Sequence, residues 1–218
     1  MNERLKDWFK RPAFWFTVVL PLVFLFFALS PWTKNIFLQW TGQAPYPMAF
    51  LKFSLLATVG ETLANWLNKK EPHFVQGAFF KAIVWGVIGC AIALIFPIFA
   101  NGITAVQQAG LLPGSSSPFL TALFTSIFLN FTFGIVMMAT HRITDAWIDG
   151  VTRPVVNHID WPQFWQVVVF RTIPLFWIPA HTLTFLLPAG FRVVWSAFLS
   201  IALGLILVLT KRKKQAQT

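Results

Sequence analysis

Acidic residues are scarce in this chain. Seven Asp and Glu stand against seventeen Lys and Arg in 218 residues, and only 11% of positions are charged. Soluble domains carry about 25%. With 56% of residues hydrophobic and 17% aromatic, the polar residues are too few to cover a globule, which excludes a soluble fold. The expectation is an integral membrane protein. A single cysteine, Cys90, excludes an intrachain disulfide, and its apolar neighbours make it core filler. No GxGxxG, Walker loop, CxxC, HExxH or GxSxG occurs, so neither an enzyme nor a cofactor is expected. The nearest approach to a metal constellation is His141, Asp145 and Asp149 on one helical face. No second cluster completes it, and a solvated helix end is the simpler reading.

The net charge of +10 raises nucleic acid as a partner, but the basic residues sit at segment ends. Arg4, Lys6, Lys10 and Arg11 open the chain and KRKK at 211–214 closes it. Such placement reads as topology and contact with anionic lipid headgroups, and nucleic acid binding is not expected. The N-terminal apolar run from Ala13 to Ser30 is longer than a signal-peptide core of about 7–15 residues. Pro31 directly follows the small residues Ala28 and Ser30 and would block cleavage, so the run reads as a retained signal anchor.

Six apolar segments are long enough to cross a bilayer of about 30 Å, which takes about 20 helical residues. They are 13–30, 48–67, 76–100, 119–140, 163–186 and 193–210. Proline or glycine punctuates most gaps. The expected organisation is an N-terminal part over 1–47, with a basic terminus, the anchor helix and an interfacial loop, followed by a helical membrane bundle over 48–218. Charge alternates along the connections. The N-terminus is basic, 31–47 holds only Lys34, and 68–75 holds Lys69 and Lys70. The 101–118 link has no charge, 141–162 holds Arg142 and Arg153, and 187–192 holds only Arg192. Positive-inside counting then puts both termini in the cytoplasm of a bacterial cell, with a multi-pass protein in its cytoplasmic membrane. Pro174 and Pro179 lie inside the fifth segment and mark it as broken or partly interfacial. Small residues recur every fourth position at Ser196, Ser200 and Gly204, and at Ala78, Ala82, Gly86 and Cys90, a pattern that lets neighbouring helices approach closely.

One acid stands inside an apolar segment. Glu61 lies in LLATVGETLANW, where Ser54, Thr58, Glu61, Asn65 and Asn68 follow at spacings of 4, 3, 4 and 3, one face of an α-helix. A charge facing lipid costs about 2.5–3.5 kcal/mol on insertion scales, so the stripe is expected to face the interior or a water-filled path. Arg171 and Lys81 lie at comparable depth and are candidate counter-charges, in which case the stripe is a structural ion pair rather than a pathway. Ser126, Asn130, Gly134 and His141 on the fourth segment, and Gln163, Gln166 and Arg171 on the fifth, supply further polar positions. Interhelical hydrogen bonding is the plain alternative for each.

Two stretches carry a resemblance. Gly60-Glu61-x-x-x-Asn65 resembles the G-D-x-x-x-Q of the Mpv/peroxisomal-membrane-protein family of small mitochondrial inner-membrane and peroxisomal proteins. Trp177-x-Pro179-x-His181-x-x-Thr184-Phe185 followed by Pro188-x-x-x-Arg192 is similar to its W-P-P-x-Q-x-x-N-F and P-x-x-x-R, with His181 and Thr184 in place of Gln and Asn. The resemblance spans 48–210. It implies a helical bundle forming a weakly selective channel for small solutes, with Gly60, Glu61, Asn65, Trp177, His181, Phe185 and Arg192 at motif positions. The expected function is a channel or small-solute transporter with a pathway along Ser54, Thr58, Glu61 and Asn65, gated through Arg171. Its partners would be the bilayer, a small polar solute or ion, and further copies of the chain. The alternative is a non-transporting assembly or partner-binding protein whose polar groups only hold helices together.

Overall fold

The computed structural model describes residues 7–152 and 158–215, with the side chains at 204, 205 and 207–215 excepted. The expected basic residues Arg4, Lys6 and Arg153, and the side chains of KRKK, lie outside the described set. Among the described residues the fold is all helical, with no strand. The helices are α1 (Pro12–Leu29), α2 (Lys34–Gln43), α3 (Pro45–Lys69), α4 (Ala78–Gln108), α5 (Pro118–Thr152), α6 (Trp161–Leu186) and α7 (Ala189–Gln215). Of these, α1, α4, α5 and α6 are long and apolar enough to cross a membrane, and α7 begins with a shorter apolar stretch, Ala189–Leu203.

Local sequence explains most boundaries. Pro12, Pro45 and Pro118 each occupy a first helical position, where the missing N–H costs nothing and φ is already helical. The Ser117 hydroxyl accepts from the Leu120 amide to cap α5, and the Asp160 carboxylate accepts from the Gln163 amide at 2.8 Å to cap α6. Helix α3 ends at Lys70, a non-glycine residue in the left-handed region at φ 61°.

Two features differ from the sequence reading. The stretch 31–47, expected as a loop, contains α2. Its Phe37 is buried and its Thr41 lies one turn further on the same face. The fifth segment, expected to be broken or partly interfacial, is unbroken because residues Phe164–Trp177 wind as a π-helix. Proline has no N–H and its ring crowds the carbonyl four residues back. The wider π winding, with bonds to the fifth residue back, accommodates Pro174 inside the helix, and the Ile178 amide reaches back to Ile173 O. A shorter π turn, Asn130–Gly134, interrupts α5.

The chain forms two compact units, one of residues 1–89 with 197–218 and the other of residues 90–196, with the divisions falling inside α4 and α7. In the first unit α1 packs on α2 and α3, and α2 folds back on α3. Arg11, at the start of α1, pairs with Glu71 at 3.3 Å and bonds the His73 ring, tying α1 to the turn after α3. Glycines let helices touch backbone to backbone. A Cβ on Gly60 would stand 3.1 Å from the Ser200 and Ile201 backbone of α7, and one on Gly89 would stand 2.6 Å from Ala49 O of α3. In the second unit the first part of α5 packs along the last part of α6, burying Ala122, Thr125, Ser126, Leu129, Ile173, Thr184 and Phe185.

Candidate functional site

Each unit holds one concentration of buried polar groups. In the first unit it lies on α3. Glu61 is half-buried, and its Oε1 accepts from the indole Nε1 of Trp85 on α4 at 2.7 Å. An indole can only donate and a carboxylate only accept, so the bond satisfies the indole and one carboxylate oxygen. Thr58 is buried, but its hydroxyl donates to Ser54 O one turn back on its own helix. Asn65 donates to His73 O at 3.0 Å and to Phe74 O at 3.4 Å, bracing the turn that follows α3. Asn68, the end of the expected stripe, is exposed. The stripe is therefore one face of a helix, as the spacing predicts, with much of its bonding capacity spent locally.

The opposite side of α3 carries a charge that sequence reading passed over. Lys52 is 0% exposed. Its Nζ donates to Thr41 Oγ1 at 2.7 Å and lies 4.3 Å from the centre of the Phe37 ring, so both contacts come from α2. An ammonium over an aromatic face is held by the ring quadrupole, most strongly when desolvated. The signal was present in the sequence, since a lysine between Leu51 and Phe53 inside an apolar segment is the same anomaly as Glu61. Trp85, the partner of Glu61, carried no comparable signal.

In the second unit the polar groups gather between α5 and α6. Ser126 Oγ donates to Ile178 O at 2.8 Å, across the two helices. The Asn130 amide donates from Nδ2 to Ser126 O at 2.8 Å, and its amide group lies 3.1–3.2 Å from Nδ1 of His181. Trp177 stacks on His181 with ring centroids 5.2 Å apart and planes at 28°. Phe96 meets His181 edge-on and packs against Phe185. Thr184, wholly buried, bonds Ala180 O within its own turn. Arg192 donates to Leu187 O and to Phe185 O, both at 3.0 Å, and lies over the Phe185 ring. It closes the carbonyl end of α6, where a cation also complements the helix dipole.

The motif residues Trp177, His181, Phe185 and Arg192 thus meet in one place, because positions 177, 181 and 185 are successive turns of one helix face. Pro179 and Pro188 are exposed and take no part in the cluster. Trp177 is 9% exposed, yet its indole N–H has no hydrogen-bond partner among the described residues. Such an orphan donor costs about 1–3 kcal/mol.

Gln163, Gln166 and Arg171, the further polar positions of the fifth segment, are exposed. Their common face was counted on 3.6 residues per turn, and the π winding that begins at Phe164 rotates successive side chains by a smaller angle. His141 lies 3.6 Å from Asp145 at i,i+4 on α5. Gly60 is a point where α3 and α7 touch. No family model matches the chain, and no curated protein or solved structure does.

Proposed function

We propose that the chain is a multi-pass protein of a bacterial cytoplasmic membrane that passes a small polar solute or ion, with a polar path beside α3. In this reading six segments cross the bilayer and both termini are cytoplasmic, the orientation that the alternation of Lys and Arg favours. The observation that carries it is Glu61. A carboxylate in an apolar helix, accepting from an indole N–H at 2.7 Å, is the kind of group that within membrane segments marks ion and substrate paths more often than it serves packing. Its resemblance to the Mpv/peroxisomal-membrane-protein motifs at Gly60-Glu61-x-x-x-Asn65 and from Trp177 to Arg192 supports the same reading. Gating through Arg171 belongs to the same reading, and Arg171→Gln in the flux assay tests it.

The test is flux through purified protein in planar bilayers or liposomes. Glu61→Gln should shift cation preference, and Trp85→Phe should shift it less. Conductance indifferent to Glu61→Gln removes the path. A second reading is favoured by the bonds of Thr58 and Asn65, which go to neighbouring backbone. It is a non-transporting assembly or partner-binding protein, and it expects no flux and a stoichiometric protein companion on purification.

A further inference from the structure

The corner between α2 and α3 holds an open groove of about 450 Å³, within the range of about 300–1,000 Å³ typical of small-molecule sites. The groove exists because Ala44 leaves the helical region, at φ −133° and ψ 63°, so the chain bends there instead of running on as one helix. Trp40, Gln43 and Ala44 form one wall, and Met48, Phe50 and Leu51 of α3 form the other. Phe50 lies against Gly86 of α4, whose missing Cβ leaves room for the ring.

No side chain in this lining is charged, and only the Trp40 indole N–H and the Gln43 amide are polar. A hydrated solute placed there would shed water without gaining partners. An alkyl chain has no such cost, and it covers the apolar surface of Trp40, Phe50 and Leu51 that the fold leaves exposed.

The surroundings name the kind of alkyl chain. Helix α2 has 10 residues and is about 15 Å long, half of what a bilayer crossing takes. Trp32, Trp40 and Tyr46, before, within and after it, are 83%, 55% and 48% exposed. Trp and Tyr gather at the level of lipid headgroups, where an apolar ring with a polar edge suits both media. Charge adds a sign. From residue 8 to residue 60 the chain has no acid, while Lys34 opens α2 and Lys52 follows Leu51 of the groove wall. The Lys52 ammonium is held by Thr41, the neighbour of Trp40, and makes no ion pair among the described residues. A buried cation is poorly screened, so its field at the groove favours a negative group.

We propose that this groove binds one acyl chain of an anionic phospholipid. The proposal rests on the chain lying in a bilayer, and not on a path beside Glu61.

The test uses the full chain in phosphatidylcholine vesicles, into which phosphatidylglycerol or phosphatidylcholine with brominated acyl chains is titrated. Bromine quenches an indole that its acyl chain touches, and subtracting the curve of Trp40→Phe isolates the Trp40 signal. Half-quenching of Trp40 is expected at a mole fraction of brominated phosphatidylglycerol about fivefold below that of brominated phosphatidylcholine, the effect of one lysine beside an anionic lipid. Lys52→Met should remove most of that difference and leave Trp40 quenched by both lipids. Ala44→Phe, which fills the groove, should bring the two titrations together. If that variant fails to fold, Leu51→Ser at an exposed position should narrow the gap instead. Coincident curves in the parent chain mean ordinary contact with surrounding lipid and overturn the site. A difference untouched by Ala44→Phe or Leu51→Ser places the lipid elsewhere and also overturns it. So does a Trp40 that stays bright while other indoles are quenched, since protein then covers the groove. If no indole is quenched, the chain is not in the bilayer, and the membrane reading falls together with the site.

Discussion

The polar residues of α3 and those of the α5–α6 cluster look alike in the sequence and bond in opposite ways. Along the stripe of α3, Thr58 bonds its own helix and Asn65 the following turn, while Glu61 reaches a different helix. Between α5 and α6, Ser126 and Asn130 bridge residues about fifty positions away. Local bonds satisfy groups without specifying how helices pair. Bridging bonds specify the pairing and leave unsatisfied partners behind when one side is removed.

Substitutions can sharpen or break this contrast, measured as unfolding free energy in mixed micelles. The largest loss is expected at Gly89→Leu, where even a Cβ stands 2.6 Å from the Ala49 carbonyl. Forcing α3 and α4 apart should cost about 3 kcal/mol, the upper end of overpacking. Asn130→Ala should follow at about 1–2 kcal/mol, since it removes one interhelical bond and strands the imidazole of His181. Trp85→Phe deletes the bond to Glu61 and should cost about 1 kcal/mol, with a coupling energy of similar size in a double-mutant cycle with Glu61→Gln. The smallest effect belongs to Thr58→Val, which gives up only a bond to its own helix and should lie within about 0.5 kcal/mol of the parent. Equal losses for Asn130→Ala and Thr58→Val would erase the distinction between bridging and local bonding.

Much of this was legible before any coordinates. Periodicity placed Ser54, Thr58, Glu61 and Asn65 on one face, and helix α3 bears that spacing out, because a single helix needs no knowledge of its neighbours. Of the six spanning segments expected from composition, four are helices long and apolar enough to cross a membrane among the described residues. Bonding partners were not legible. That Asn130 meets His181 depends on how α5 and α6 pack, which no local pattern encodes. The exposure of Gln163, Gln166 and Arg171 was not legible for a more specific reason. A face computed at 3.6 residues per turn loses its meaning where the winding widens, and the two prolines pointed to a break rather than to π winding. Lys52 carries the same information as Glu61, because a lysine between Leu51 and Phe53 is also a charge inside an apolar run.

That lysine bears on how the chain is made. Its ammonium sits fully enclosed, with Thr41 and Phe37 as its contacts from α2. A third helix folding alone would leave that cation bare. The short second helix leaves the ribosome first, so it is at hand to wrap the cation as the third one forms. Assembly of this corner would then start from a folded hairpin rather than from single rods.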